Sequence, residues 1–307
     1  MINIITFNIL SSELIFDTVY PVTDPKYLDK HYRLDKFKIM LNEYVNQNFI
    51  ICLQEVSSEW NIQLKEYFTL LNYNWTYVPH VKKNSKLGVS ICYPTSLYEA
   101  TSIFSTRIGD VIGKSTADLK EQFGSETSSE LIKEIYANIA EAEADRATLL
   151  IHTITVKQNN KILHIATYHM PCKYTKPIVM EAHVLCCMKI VNEIANDDPV
   201  IFVGDFNSKH GGNEWVLLTK GQPIGDLSKE MIKKYPVCGK CFEDANSTVN
   251  NGDTTCFNQV TNETFKIDFI FYRNLKCVKS SIVTATFPIP SADHISDHVP
   301  ILASFEI

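Results

Sequence analysis

The sequence lacks any run of about 18 apolar residues, the length a membrane-crossing helix needs, so no such helix is expected. It lacks a basic excess. Lysine and arginine number 29 against 35 aspartates and glutamates, a formal charge of −6. That balance excludes a protein that grips nucleic acid through a broad basic surface, but not one that holds a phosphate locally through metal ions. It lacks internal repeats, low-complexity tracts and any Pro/Gly/Ser-rich linker, so residues 1–307 are read as a single domain. The opening "MINIITFNIL" has no basic n-region and no small-residue cleavage site. The expectation is therefore no signal peptide and a cytoplasmic location. A disulfide framework is also missing. The nine cysteines are odd in number, and Cys52, Cys92, Cys186 and Cys187 sit inside apolar runs, which fits reduced, buried thiols.

What is present is a series of short segments rich in β-branched and aromatic residues: "INIITFNIL", "FIICLQEV", "GVSICY", "TLLIHTITV", "ILHIATYHM", "VIFVGDFN", "KIDFIFY" and "PILASFEI". Each reads as a strand. Between them, apolar residues recur at helical spacing over 31–46, 58–71 and 177–195, the last opening on Pro177, which suits a first helical turn. Residues 127–144 begin with hydroxyl residues followed by Glu130, a capping-box pattern. They lie in a stretch read as a helical insertion around 105–145. Strands interleaved with helices in this number predict an α/β domain built on two packed sheets.

The strands end in a recurring way. "IITFN" stops at Asn8, "FIICLQE" at Glu55 and "ILHIATYH" at His169. "VIFVGDFN" is expected to turn at Gly204 and present Asp205 and Asn207. "FKIDFIFY" carries Asp268 among apolar neighbours, and "ISDHVPI" sets Asp297 and His298 just before the final strand. Each residue taken singly fits a strand-end cap, a turn, a satisfied structural histidine or a paired buried acid. Together they would gather carboxylates, amides and imidazoles on one side of the sheets. Carboxylates packed together raise one another's pKa, and a divalent cation resolves the conflict. The nearly all-oxygen donor set favours Mg2+, or Mn2+, over zinc. Such a centre suits phosphoester hydrolysis.

In this order, "TFN", "LQEV", "YH", "GDFN", "IDFIFY" and "SDHVPI" resemble the endonuclease/exonuclease/phosphatase superfamily from Asn8 to His298. The resemblance implies a four-layer α/β/β/α sandwich of two mixed β-sheets with helices outside. It implies Glu55 as the main metal ligand with Asn8 beside it, and Asp297 serving the metal site or a second metal position. It implies Asp205 as the group that aligns and activates water, and Asn207 as a contact to the scissile phosphate. His298 would lie against the phosphate, oriented by Asp268, and His169 would donate to a phosphate oxygen. Arg146 matches an arginine that approaches the phosphate in some members, and reads equally as a solvated strand-end residue.

The segment "HYRLDKFKIMLNEYVNQNFIICLQEV" resembles the branch of deadenylases, nocturnin and 2′,5′-phosphodiesterases, in which a tyrosine–arginine pair opens the helix before the glutamate strand. "FKIDFIFYRN" and the ending "IPSADHISDHVPILASFEI" resemble it too. In that branch the aromatic residue three before the aspartate stacks on a base. Phe265 holds that position, and reads equally as a core phenylalanine. The sequence departs from the branch at "TYHMPC", where deadenylases carry a different segment that contributes to substrate binding. No leucine-rich repeat precedes the domain, so docking on a large deadenylase scaffold by that route is not expected. The resemblance implies a metal-dependent phosphodiesterase acting on single-stranded RNA or an oligonucleotide, favoured as a 3′-5′ exoribonuclease and expected to be a monomer. The alternative is a phosphatase or phosphodiesterase on a small-molecule or lipid head-group phosphate. "CGKC", Cys238 to Cys241, has the spacing of half a zinc site but no second pair at matching spacing, Cys256 and Cys277 being scattered candidates, and it is read as ordinary thiols in a loop. "VKKNSK", 81–86, is a small basic patch read as a solvated loop.

Overall fold

The computed structural model describes residues 1–16, 18–80, 87–114, 130–222, 240–247 and 253–307, with side chains described from 137 in the stretch that starts at 130. The patch 81–86, the hydroxyl cap of the 127–144 helix and Cys238 lie outside the described residues. Two six-stranded sheets carry the fold. The first is ordered β13 (Lys276–Ile282), β14 (Ile301–Glu306), β1 (Ile2–Asn8), β2 (Ile50–Gln54), β4 (Gly88–Pro94), β3 (Tyr73–Pro79). The second is ordered β5 (Tyr98–Arg107), β6 (Thr148–Val156), β7 (Lys161–His169), β8 (Val200–Asp205), β12 (Asp268–Arg273), β9 (Glu243–Asp244). A small ladder pairs β10 (Cys256–Asn258) with β11 (Glu263–Phe265). Both main sheets are mixed: β1 and β2 run parallel, as do β7 and β8, while the other pairs are antiparallel.

The layers follow from alternation along the strands. In β1, Ile2 and Ile4 point between the sheets, against Ile201, Val203 and Ile270 of the second sheet. Ile5 and Phe7 point outward, against Leu34, Phe37 and Leu41 of α1 (Lys30–Asn46) and Trp60, Leu64 and Phe68 of α2 (Ser58–Leu70). The outer face of the second sheet buries Ile151, Tyr168 and Phe202 under the remaining helices. These are α3 (108–114), α4 (Glu130–Ala144), α5 (Pro177–Ala195) and α6 (Asn213–Lys220). The central strands thus bury both faces, which is why they read as continuous apolar runs. Asp29 caps α1 by accepting from the His31 and Tyr32 N–H groups, and Ser57 caps α2 at Trp60. The architecture is the four-layer α/β/β/α sandwich. Among the described residues no helix is long and apolar enough to cross a membrane, and the eight described cysteines are free thiols.

Two local expectations change. The eight segments read as strands are the eight inner strands of the two sheets. The other four strands of these sheets, β3, β5, β9 and β13, are the four sheet edges, and that reading missed them along with the short β10 and β11. An edge strand has one neighbour and solvent on the other side, so its sequence carries little apolar signal; β5 is exposed along most of its length. The second change is at Gly204, which does not turn the chain. It lies inside β8 at φ 148°, paired with Tyr168, and a Cβ there would sit 1.8 Å from the Tyr168 carbonyl oxygen. Glycine is required by the close approach of two backbones.

Candidate active site

The parallel pairing β7–β8 sets His169 beside Asp205, and the antiparallel pairing β8–β12 sets Asp268 on the other side of Asp205. Three of the residues expected at the site therefore stand in a row across three strands. In the other sheet, the β1–β2 register sets Asn8 beside Gln54, directly before Glu55. Glu55 leaves the strand at φ 59°, a left-handed conformation unusual for a glutamate. The final strand runs antiparallel to β1, with Ile301 opposite Thr6. The residues just before it, Asp297 and His298, are thereby brought to the same end. The Ser296 hydroxyl donates to the Asn8 carbonyl at 2.7 Å and accepts from the His298 N–H at 3.1 Å, fixing that approach.

The sheets are joined under the site by buried polar contacts. Gln54 Nε2 donates to Thr6 Oγ1 and to Thr167 Oγ1 of the opposite sheet, at 3.1 and 3.0 Å. Above them the Asn8 amide bridges two acids, donating to Glu55 Oε1 at 3.1 Å and to Asp205 Oδ2 at 3.0 Å. Its oxygen accepts from the Leu10 N–H. Glu55 Oε2 accepts from the Ser11 N–H at 2.9 Å. Asp205 Oδ1 accepts from the Asn207 N–H at 2.9 Å, so this turn and this site are one structure. Asp205 Oδ2 lies 3.6 Å from His169 Nε2 and 3.7 Å from His298 Nε2. His298 Nδ1 pairs with Asp268 Oδ2 at 2.8 Å. Asn207 donates to the Met170 carbonyl and accepts from the Tyr174 hydroxyl. Asp297 accepts from the Tyr20 hydroxyl at 2.9 Å.

Burial pushes the Asp268 carboxyl up to about 6 against the pull of His298. For His298 burial acts downward, but Asp268 and Asp205 outweigh it and hold the ring proton well above the usual histidine range. Among the described residues, no lysine or arginine pairs with Glu55, Asp205, Asp268 or Asp297. Four acids at one end of the sheets, with imidazoles as their only ion-pair partners among the described residues, form a donor set that fits a hard divalent cation. Among the described residues, two groups have donor atoms close enough to hold a metal: Asp205, Asp268 and His298, and Cys256, Asp297 and His298. Glu55 belongs to neither. Asn8 turns its NH2, not its oxygen, toward the acids, and so offsets their charge as a donor.

A cleft of about 890 Å³ opens over this cluster, lined by Glu55, Arg146, His169, Asp205, Asn207, Asp297 and His298. Asn8 and Asp268 lie buried behind it. Phe265 does not line it. The half-buried Phe265 ends β11, with Lys209 Nζ 4.9 Å from its ring centroid. Three residues at the site were not singled out from the sequence: Tyr20, Tyr174 and His80. His80 follows the aromatic edge strand β3 and lines the cleft with its ring centroid 6.1 Å from that of His169. Its Nδ1 accepts from the Thr148 N–H, which leaves the proton on Nε2, and burial pushes it down to about 3. The strand-end histidine of "NWTYVPH" is the same signal as "ATYH", hidden because the strand itself was not seen.

Arg33, of the tyrosine–arginine pair, is wholly buried. It donates from Nε to the Ile295 carbonyl at 2.6 Å and from Nη2 to the carbonyls of Ile9 and Leu10 at 2.6 and 2.5 Å. It therefore ties the segment after Asn8 to the segment before Asp297.

The model of the Endonuclease/Exonuclease/phosphatase family matches residues 5–298. Solved structures with a similar fold include ANGEL2, a 2′,3′-cyclic phosphatase, in complex with adenosine-2′,3′-vanadate, at 15% identity and a TM-score of 0.74. The match covers 99% of this chain and 95% of that one. The human nocturnin catalytic domain with bound sulfate aligns at 16% identity and a TM-score of 0.65, covering 99% and 93%. A mannosyl-6-phosphatase of Bacteroides thetaiotaomicron aligns at 12% identity and a TM-score of 0.64, covering 100% of both chains. No curated protein matches the sequence.

Proposed function

The chain belongs to the endonuclease/exonuclease/phosphatase family, and from that premise we propose that it is a divalent-metal-dependent phosphodiesterase of single-stranded RNA or oligonucleotides, working as a 3′-5′ exonuclease. The observation that carries this reading is the convergence of Glu55, Asp205, His169 and His298 on one cleft. The ANGEL2 neighbour, bound to an adenosine derivative, supports a nucleotide substrate. So do the sequence flanks that resemble the deadenylase and nocturnin branch.

The residues divide the work. Asp205 is held by Asn8 and Asn207 with one oxygen between two imidazoles, a placement suited to orient a water molecule and take its proton. His298 presents Nε2 to the cleft because Asp268 occupies Nδ1, so its proton is aimed at a phosphate oxygen. His169 brings a second Nε2 from the neighbouring strand β7 to the same Asp205 oxygen, and Arg146 stands at the rim. Glu55 and Asp297, with Asp205 nearby, would hold Mg2+ or Mn2+. Such an ion offsets phosphate charge and stabilises the transition state.

A substrate panel tests this reading: oligo(A), nucleotide phosphates, inositol phosphates, sugar phosphates and sphingomyelin, each with Mg2+ and with chelator. The expected result is fastest turnover of the oligonucleotide, abolished by chelation and by Glu55→Ala or Asp205→Ala in folded protein. Faster turnover of a sugar or lipid phosphate would replace this reading with the small-molecule alternative, which the mannosyl-6-phosphatase neighbour favours. Normal activity in either variant would refute the site.

A further inference from the structure

The second metal-competent group differs from the first in chemistry. A thiol, a carboxylate and an imidazole, from Cys256, Asp297 and His298, bring their donor atoms within 4.8 Å of one another. Sulfur and nitrogen donors select zinc-type ions over magnesium. We infer that Cys256, Asp297 and His298 form a zinc site that shuts the catalytic centre.

The backbone holds the three in place. Cys256 and His298 form an antiparallel β-bridge. On either side of it the Phe257 N–H donates to the Asp297 carbonyl, and the Val299 N–H donates to the Thr255 carbonyl, both at 2.8 Å. The two segments are thus laced together independently of any ligand. Two of the donors also carry the outer partners that metal ligands have. Asp268 occupies Nδ1 of His298 and leaves Nε2 as the ligand nitrogen. The Tyr20 hydroxyl holds one oxygen of Asp297. All three residues line the cleft, which supplies an entry path and leaves a fourth position for water. A tetrahedral ion at about 2.0–2.3 Å from each donor needs donor separations of roughly 3.3–3.8 Å, so rotation of side chains by about an ångström closes the site.

Cys256 is buried, and burial pushes its thiol up to about 11 although His298 pulls the other way. The free protein therefore carries the neutral thiol. Binding forms the zinc–sulfur and zinc–nitrogen bonds and releases two protons to solvent, one from the Cys256 thiol and one from Nε2 of His298, with no oxidation or reduction. The bound ion takes the deprotonated Nε2 of His298 and the Asp297 carboxylate, so the imidazole that faces the phosphate and a carboxylate that would hold Mg2+ are both withdrawn. The inhibition rests on the phosphodiesterase reading; the binding does not.

Metal-stripped full-length protein titrated with Co2+ tests the binding. The expected result is a thiolate-to-cobalt charge-transfer band that Zn2+ abolishes and that Cys256→Ser lacks. No band, or the same band in Cys256→Ser, overturns the site. In the unmutated protein, equimolar Zn2+ should protect Cys256 from alkylation, read by peptide mass mapping. Unchanged labelling of Cys256 overturns the site without recourse to a variant. For inhibition, the ratio of Mg2+-supported rates with and without Zn2+ is compared in the two proteins. Cys256→Ser should need at least about tenfold more zinc for the same inhibition, the lower end of what even outer-partner loss does to affinity. Equal inhibition in both overturns the proposed mechanism of shut-off. Absence of hydrolysis of every substrate would count against the phosphodiesterase reading, while the cobalt band would still decide the site.

Discussion

Asn8 donates to Asp205 at 3.0 Å across the interface between the two sheets, joining residues 197 positions apart in sequence. The same NH2 group reaches Glu55, so one neutral amide separates two acids that would otherwise repel. Asn8→Asp replaces that donor with a third negative charge. Without metal the variant should be less stable by about 3 kcal/mol, since two charge-assisted hydrogen bonds are lost. Saturating Mg2+ should raise its melting temperature more than that of the unmutated protein. Activity should fall about 100-fold, because Asp205 loses its positioning contact. Equal melting shifts in the two proteins would show that Asn8 does not manage this charge.

Gly204 and Tyr168 approach so closely that no side chain fits between their strands. Gly204→Ala must push β7 from β8 and adopt a φ that L-residues avoid. A loss of about 3 kcal/mol or more is expected, read from urea unfolding. Activity should fall with it, because the neighbouring register pair is His169 and Asp205.

Arg33 satisfies the carbonyls of Ile9, Leu10 and Ile295 from inside the protein. Arg33→Ala leaves three buried acceptors without their donor and should destabilise the chain by about 3 kcal/mol or more. Arg33→Lys should recover only part, since an ammonium lacks the planar fork. If Arg33→Ala matched the unmutated protein in unfolding midpoint, the tie between these segments would be dispensable.

Buried histidines make stability fall in acid, His152 and His183 among them. His152 pairs with the Tyr93 hydroxyl, and His183 with the Tyr168 hydroxyl and the Ala142 carbonyl. Burial pushes each down to about 4. The unfolded chain binds these protons from about pH 6.5 downward and the folded chain does not. Their contribution is therefore complete above about pH 6.5 and is lost as pH falls toward about 4. At about pH 5 each ring should account for roughly 2 kcal/mol of lost stability relative to neutral pH. Urea midpoints across that range should slope less in His152→Gln; an unchanged slope would show that His152 is not a source of the acid loss.

The inner strands were legible because most of them bury both faces, and an apolar run is then forced on the sequence whatever the chain order. The site residues at their ends were legible for a related reason. Asn8, Glu55, His169, Asp205, Asp268 and His298 each interrupt, follow or shortly precede an apolar run with a group that such runs exclude. The edge strands β3, β5, β9 and β13 were not legible, since solvent on one side removes the constraint that marks a strand. With β3 hidden, His80 was hidden too.

The sequence by itself determined which chemical groups this protein owns and where along the strands they fall, because burial dictates polarity locally. Only the tertiary structure decided which of them meet. Strand register set Asp205 between His169 and Asp268, and Arg33 drew the segments after Asn8 and before Asp297 together. The β-bridge from Cys256 to His298 put a thiol beside an imidazole of the candidate site. Such meetings depend on hydrogen-bond pairing between segments up to hundreds of residues apart, and no local pattern in a chain encodes its partner's register.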